Sequence, residues 1–569
     1  MVQQASDSSL GLALAAWAPG PPTILHALVA AGAQPGVVVT LLPDQQGGEA
    51  EHRTYAALGE GVVRRAAQLR ALGIGPGERV LIVLPTGWPF LETFFGLMLI
   101  GAVPVPAYPP STLSGVQSAI DRLRHMVADA GIRCCLTDPL LHDVLAGLAA
   151  EGEGAARLVD LESLPAPEIE GLHPQRGEVA FTQYTSGSTR DPRGVVVGHG
   201  ALLANIRAAG EASEVCPTDC LVSWLPLYHD MGIVGGLMWP IYWRIPLVLM
   251  SPLAFLIRPR TWLEAISDHG GTITMGPNFA YARCAARVRD LSGLDLSTLR
   301  IALNGAEPVS AATHRAVLDR LGPAGFREGV MYPCYGLAEA VVAVTFSEPG
   351  APLHVDRIDR GALAQGRAEP TTAEEALEVV AVGRALPGHD LRIVDDEGGV
   401  LPERRVGEIQ VRGPSVMGGY HDNPEATAAA FQEGRLRTGD LGYLVEGRLH
   451  VTGRAKDLII IRGQNHHAED IDRVVEAVPG IRPGRVVAFG TYDEAAASDR
   501  LVVVLEDGPT EEADRAALAE AVREAIGDRI GLRVHEVVFV PKGGIGRTPS
   551  GKRQRQRARR AYERGTLGA

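Results

Sequence analysis

Residues Tyr184–Gly194 read YTSGSTRDPRG. Backbone N–H groups of such a loop, with hydroxyls from Thr185, Ser186, Ser188 and Thr189 around Gly187, can surround phosphate oxygens. In LPLYHDMGIVGG (225–236), His229 and Asp230 precede a glycine-rich apolar run. In NGAEP (304–308), a glycine after a strand lets a flat ring approach the backbone. YPCYGLAEA (332–340) offers Tyr335 as a stacking face, Gly336, and Glu339 as a Mg²⁺ ligand, since magnesium takes few carboxylates and keeps phosphates and waters. In RTGDLGY, Asp440 is expected at a strand end, where it suits the two hydroxyls of a ribose, and Arg454 follows it. GRTPSGK (546–552) nearly spells a P-loop, but Arg553 stands where Ser or Thr should hold Mg²⁺ and no βαβ unit begins there. What remains is Lys552 on a Gly/Ser/Pro loop, free to reach into another domain. Each motif alone also has a structural reading: a serine-rich turn, a satisfied histidine, a core tyrosine with a surface glutamate.

The elements that must position these residues follow from pattern. GERVLIVLP is a short, continuous apolar strand, and residues 90–110 read as a helix, a glycine stop and another strand. The rhythm recurs at CLVSWLP, IPLVLMSP, GTITMGP and LRIALNGAEP. Strands alternating with helices predict parallel sheets covered on both faces, with substrate sites at the carboxyl ends of the strands. The expected fold is therefore α/β. Residues 1–453 form a large N-terminal domain of parallel sheets flanked by helices, with an inserted element at 347–380 and a β-rich subdomain at about 381–452. A small, mobile α+β C-terminal domain spans 454–569, with a hinge near Lys456.

The chain has 569 residues, 46% hydrophobic and 21% charged, which are globular values for roughly two to four domains. A net charge of −13 argues against nucleic acid. One dense basic run, Arg547–Arg560, lies at the C-terminus, where a solvated face is the ordinary reading. The six cysteines form no disulfide scaffold, and Cys216-x3-Cys220 lacks a second ligand pair for zinc. The N-terminus has no basic n-region and its apolar run is too short to span a membrane, so a soluble cytoplasmic protein is expected.

YTSGST, YGLAEA, TGD, GRAKD and SGK occur in this order over nearly the whole chain. Together they resemble the adenylate-forming superfamily of acyl-CoA synthetases, luciferases and peptide-synthetase adenylation domains. LPLYHDMG, YGLAEA, GQNHHAEDI and the insertion after 346 look most like the fatty acyl-AMP ligases. The resemblance implies activation of a hydrophobic carboxylic acid with ATP and Mg²⁺ through acyl-AMP, then transfer to the thiol of coenzyme A or of carrier-protein phosphopantetheine. It implies that Lys552 bridges the acid and the α-phosphate, that Glu339 holds Mg²⁺ and that His229 borders the acyl carboxylate. Thr185–Thr189 would hold nucleotide phosphates. Gly305, Ala306, Glu307, Tyr335 and Gly336 would line the adenine slot, and Asp440 and Arg454 would contact ribose and phosphate. Lys456 would be the hinge, and Met231, Gly232, Gly276, Asn278 and Phe279 would line the acyl tunnel. An insertion of this kind restricts motion of the C-terminal domain in those ligases and favours an acyl carrier protein as partner. Ala-, Gly- and Arg-rich composition points to a GC-rich bacterial genome and, by analogy, to natural-product assembly.

Two departures fall on the pyrophosphate side. Arg190 stands where the family has glycine, adding a charge worth up to about 4 kcal/mol at roughly 4 Å and intermediate dielectric. Val341 stands where the family has threonine, and losing a hydroxyl bound to phosphate costs roughly 1.5–3 kcal/mol. They open a second reading, an enzyme that takes preformed acyl-AMP from a partner adenylating ligase and performs only thioester formation. A third, a non-catalytic binder of acyl-adenylate, does not need the mobile lysine.

Overall fold

Apolar runs bounded by glycine and proline become parallel strands buried on both faces. In this computed structural model Arg79–Val83 pairs in parallel with Val103–Pro106 on one side and Cys134–Thr137 on the other, and Arg157–Asp160 completes a four-stranded sheet. Helix Trp88–Leu99 connects the first two and is buried over most of its surface. It ends before Gly101, whose φ of 75° is a left-handed value that glycine adopts without strain. The structure describes residues 9–15, 22–43, 48–110, 116–149, 155–166, 169, 172, 175–185, 192–461, 464–493, 498–548 and 552–567.

A nine-stranded sheet carries the chemistry-bearing loops. Val38–Leu41, Leu247–Leu249, Leu221–Ser223, Ile273–Gly276, Ile301–Asn304 and Met331–Tyr335 run parallel through its centre. Antiparallel edges are formed by Glu51–Thr54 on one side and by Thr345–Phe346 and Arg384–Ala385 on the other. Both sheets contribute to one continuous apolar core. The ribbon Val179–Tyr184 and Gly194–Gly198 flanks the Ser/Thr loop.

After residue 380 the pattern becomes antiparallel. Asp390–Val394, Gly407–Arg412, Arg435–Val445, Phe431–Gln432 and Arg448–Arg454 form a five-stranded sheet. The preceding insertion is ordered as a hairpin, Val355–Ile358 with Leu377–Val380, around the short helix Arg360–Ala364. From Leu458 onward, a three-stranded sheet (Val486–Asp493, Ser498–Glu506, Val534–Val540) packs with helices Ala468–Glu476, Glu512–Ile530 and Arg555–Glu563. This segment has its own apolar cluster around Ile459, Ile471, Val486 and Val503. The fold is thus mixed α/β, with a parallel core and β-rich parts. Among the described residues no helix is long and apolar enough to cross a membrane, and no group of three or more His, Cys, Asp or Glu could hold a metal.

Candidate active site

The motif residues converge on a cavity of about 1390 Å³ that lies against the carboxyl ends of the large sheet. Strand Met331–Tyr335 ends in Tyr335, whose hydroxyl donates to Asp440 Oδ2 at 2.8 Å. Asp440 lies opposite Arg454 in the register of two neighbouring strands, and its Oδ1 is 3.3 Å from Arg454 Nε. Asp440 therefore sits inside the strand Arg435–Val445 and not at its end, where the sequence reading put it. A bulge after Leu441 adjusts the pairing beside it. Asp440 raises the Arg454 pKa and fixes that charge in the cavity. Gly336 follows at a point that only glycine can occupy: a Cβ there would lie 1.7 Å from the Val342 carbonyl oxygen.

Glu339 lines the same cavity and accepts a hydrogen bond from the Tyr420 hydroxyl at 2.8 Å. The Arg193 guanidinium lies 5.3 Å from the Tyr420 ring centroid, so Arg193, Tyr420 and Glu339 form one connected wall. Tyr420 was not anticipated from the sequence. Among the described residues Glu339 has no other side-chain partner, which leaves carboxylate lone pairs for a cation. A single carboxylate fits magnesium, which is held mainly by water and phosphate oxygens. Thr185 and Arg193 close the base of the Ser/Thr loop through the Thr185 N–H to the Arg193 carbonyl at 3.1 Å. Ser186, Gly187, Ser188, Thr189 and Arg190 lie outside the described residues.

On the acyl side, His229 Nδ1 is 2.6 Å from Asp230 Oδ1. Burial alone would raise the Asp230 pKa, but the attraction of His229, followed by that of Lys552, holds it below the usual carboxylate range. The apolar wall comes from Ile206 and Ala209, from Met231 and Val234 with Trp239, and from Met275. Met231–Met238 is a π-helix, a rare wide-turned form that frequently occurs at functional sites. Gly232 belongs to its tight entry: a Cβ would meet the Pro226 carbonyl oxygen at 2.1 Å.

Four of the five expected tunnel residues, Gly232 among them, do not line this cavity. Gly276 is packed toward Trp262, Ala280 and Trp224, and Phe279 lies edge-on to Trp224. Asn278 is consumed by hydrogen bonds: its Nδ2 donates to Thr313 Oγ1, and its Oδ1 accepts from the Ser310 N–H and from Asn304 Nδ2. Gly305 likewise packs against Cys334, while Ala306 and Glu307 line the cavity. Burial raises the Glu307 pKa, and its carboxylate accepts the Phe279 N–H. Val341, expected near phosphate, is 2% exposed and packs into the core with a φ of 69°. It is not among the cavity-lining residues; the turn after Glu339 directs its side chain away from them.

Lys552 enters the cavity from the C-terminal segment. Its N–H donates to Thr548 Oγ1 at 3.0 Å and its carbonyl accepts the Thr548 N–H at 2.7 Å, closing the lysine loop. Arg553 donates to Glu476 Oε1 at 2.7 Å and Arg555 to Asp472 Oδ2 at 2.9 Å, so the residues after the lysine are clamped to the lobe beneath. Burial lowers the Lys552 pKa; Asp230 opposes that effect and Arg454 adds to it, and all three residues line the same cavity. Lys456 also borders the cavity, in the single turn Ala455–Asp457 that joins the β-rich sheet to the C-terminal lobe. Its carbonyl accepts from Gln556 Nε2 at 2.8 Å.

A protein-family profile described as "AMP-binding enzyme" matches residues 25–421. The medium-chain-fatty-acid–[acyl-carrier-protein] ligase JamA of Moorena producens is 35% identical over 549 residues, covering 92% of each chain. The long-chain-fatty-acid–AMP ligase FadD26 of Mycobacterium tuberculosis (strain H37Rv) is 35% identical over 523 residues, 86% of this chain and 88% of the other. A solved structure from work on fatty acyl-adenylate ligases of E. coli and L. pneumophila superposes with a TM-score of 0.90 at 33% identity, over 96% of this chain and 99% of that one. The chain belongs to the AMP-binding enzyme family and is a ligase whose homologues are fatty acyl-AMP ligases and acyl-CoA synthetases.

Proposed function

We propose that this ligase performs both half-reactions on a hydrophobic carboxylic acid and delivers the acyl group to carrier-protein phosphopantetheine. In the first, a carboxylate oxygen attacks the α-phosphorus of ATP, the bond to the β-phosphate oxygen breaks, and pyrophosphate leaves with the electron pair. In the second, the carrier's thiol sulfur attacks the acyl carbon, its proton passes to solvent, and AMP departs. Magnesium bound at Glu339 would neutralise phosphate charge. The residues of this chain position and polarise: Tyr335 and Gly336 flank the base, Asp440 accepts from the ribose, and Arg454 and Lys552 draw the two anions together in a water-poor site.

The observation that carries this reading is the half-buried Lys552 lining one cavity with Asp230, Glu307, Asp440 and Arg454, whose charges act on it. A lysine so placed serves adenylation, and a thioester-forming enzyme fed with acyl-AMP has no use for it. Packing of Val341 into the core removes one of the two reasons for the narrower reading. The acceptor is supported by the insertion, which grips the C-terminal lobe: Arg360 bonds Asp470 at 2.9 and 3.2 Å, and Arg473 donates to the Glu378 carbonyl at 3.4 Å. The relative from Moorena is named as a carrier-protein ligase. Acid-dependent ATP–pyrophosphate exchange, followed by mass spectrometry of a phosphopantetheinylated carrier and of coenzyme A, tests both parts. Absence of exchange with every hydrophobic acid would overturn the first, and preferential acyl-CoA formation the second.

A further inference from the structure

Asparagine is a weak helix former because its amide competes for backbone groups, and burying that amide is costly unless its donors and acceptor are matched. Asn205 nevertheless stands in the middle of helix His199–Ala212 and is fully buried. Its Nδ2 donates to the Ala343 carbonyl at 2.8 Å and to Ser415 Oγ at 3.0 Å, with the Ala340 carbonyl also at 3.2 Å, and its Oδ1 accepts the Ala343 N–H at 3.2 Å. One orientation of the amide satisfies all of these contacts. Ile206 follows it and Ala209 lies one helical turn on, and both belong to the apolar wall of the cavity.

The contacts meet on the turn that presents Glu339. The chain passes through Ala338–Ala340 and reverses at Val341 with a φ of 69°. A β-branched residue keeps such a conformation only where its surroundings fix it. Asn205 grips the chain on both sides of Val341, at Ala340 and at Ala343. Ser415, its third partner, has His389 Nε2 at 2.6 Å. Two residues further on, the Met417 N–H donates to the Glu339 carbonyl at 2.8 Å, and Tyr420 of the same segment donates to the Glu339 carboxylate. Asn205 thus joins the acyl wall, the Glu339 turn and the segment that braces Glu339. We infer that Asn205 is a positioning residue through which the acid and the magnesium–nucleotide help one another to bind. This coupling presupposes Glu339 as the magnesium carboxylate and Ile206 and Ala209 as acyl wall, as proposed above. An acyl chain packed on Ile206 and Ala209 restrains the helix, and the amide passes that restraint to the turn that carries Glu339. A magnesium–nucleotide held at Glu339 restrains the same turn from the other side. Each ligand leaves less of the shared element for the other to order, and the two coupling factors must be equal.

Calorimetry reads the coupling without turnover. The dissociation constant of magnesium α,β-methylene-ATP is measured alone and with a saturating amount of whichever of octanoate, dodecanoate and hexadecanoate binds most tightly. In the unsubstituted enzyme the acid should tighten the analogue roughly tenfold, an ordinary coupling factor. Asn205→Ala should bring that factor close to one. Ser415→Ala, which keeps the amide and removes one of its acceptors, should lower it about threefold. The factor should also vanish in Glu339→Gln and without magnesium, and Asn205→Ala should add nothing further in either case. A lower melting temperature with an unchanged factor would make Asn205 a packing residue alone and overturn the inference, as would an unsubstituted enzyme without coupling. Should Asn205→Ala fail to fold, an undiminished factor in Ser415→Ala overturns it equally. Coupling that needs Asn205 and magnesium in an enzyme with no ATP–pyrophosphate exchange would sustain the inference and count against the two-step reading; exchange without coupling would do the reverse.

Discussion

Replacement of Lys552 by alanine separates the two half-reactions. Lys552 lines the cavity that also holds the acyl wall and the Asp440–Arg454 pair, where a carboxylate and an α-phosphate would meet. At about 4 Å and an effective dielectric near 20, one such charge contributes about 4 kcal/mol, close to a thousandfold in rate. Lys552→Ala should therefore lower acid-dependent ATP–pyrophosphate exchange about a thousandfold. Thioester formation from synthetic acyl-AMP should stay within about threefold, because no second anion is brought in at that step. The pH dependence adds a sign. The cation is the active form and burial lowers its pKa, so adenylation should fall on an alkaline limb that begins below that of an ordinary lysine. The transfer step should lack that limb, and Lys552→Arg, protonated throughout, should remove it from residual adenylation. Equal losses in both half-reactions, or an alkaline limb that persists in Lys552→Arg, would refute the assignment.

Three further outcomes follow from particular contacts. Val341→Thr puts an unpartnered hydroxyl into the core at a site 2% exposed, which should cost roughly 1–3 kcal/mol of stability and leave the KM for ATP within about twofold. A tenfold fall in that KM would return the side chain to the phosphate side. A Cβ at Gly235 would meet Met275 Sδ at 3.0 Å in the apolar part of the cavity, so Gly235→Val should depress kcat/KM for long or bulky acids about tenfold and spare short ones. A uniform loss across chain lengths would place Gly235 outside the acyl path. Arg360→Ala breaks the contact between the insertion and Asp470, a partly buried pair worth about 1 kcal/mol, and should raise the yield of acyl-CoA relative to acyl-carrier about fivefold. An unchanged ratio would remove the insertion from acceptor choice.

Tyr335, Gly336, Asp440, Arg454 and Lys552 were legible because their types are unusual for the places they occupy. A carboxylate next to a strand glycine, or a lysine in a Gly/Ser loop, has few structural reasons to be there. What the sequence hid was direction. Gly276 ends a strand that reaches the cavity at Met275, and Asn278 and Phe279 follow it, which is why they read as tunnel. The chain then turns, so that Phe279 meets Trp224 and Asn278 meets Ser310 and Thr313. Val341 was noticed by position, but a φ of 69° reverses the backbone there, a conformation that a β-branched residue seldom adopts and that no local pattern announces. Tyr420 reaches Glu339 from 81 residues away in a segment without a recognisable motif, so only tertiary structure could pair them.

Charge is distributed unevenly between this site and the rest of the chain. The chain carries a net charge of −13, yet the cavity gathers Arg122, Arg193, Arg454, Lys552 and Arg557 from separate elements. Acidic groups elsewhere on the surface do little for these cations, because charges more than about 8 Å away through solvent are largely screened at physiological ionic strength. Among the described residues, Arg454 alone of these five has a carboxylate at ion-pair distance, and the charges of Asp230 and Glu307 act on Lys552. Asp230 attracts Lys552 more than Arg454 repels it, so the site's own acids favour the tail lysine there before any nucleotide binds. A bound polyphosphate adds a shared partner for the remaining cations, which is the electrostatic work that the proposed adenylation asks of them.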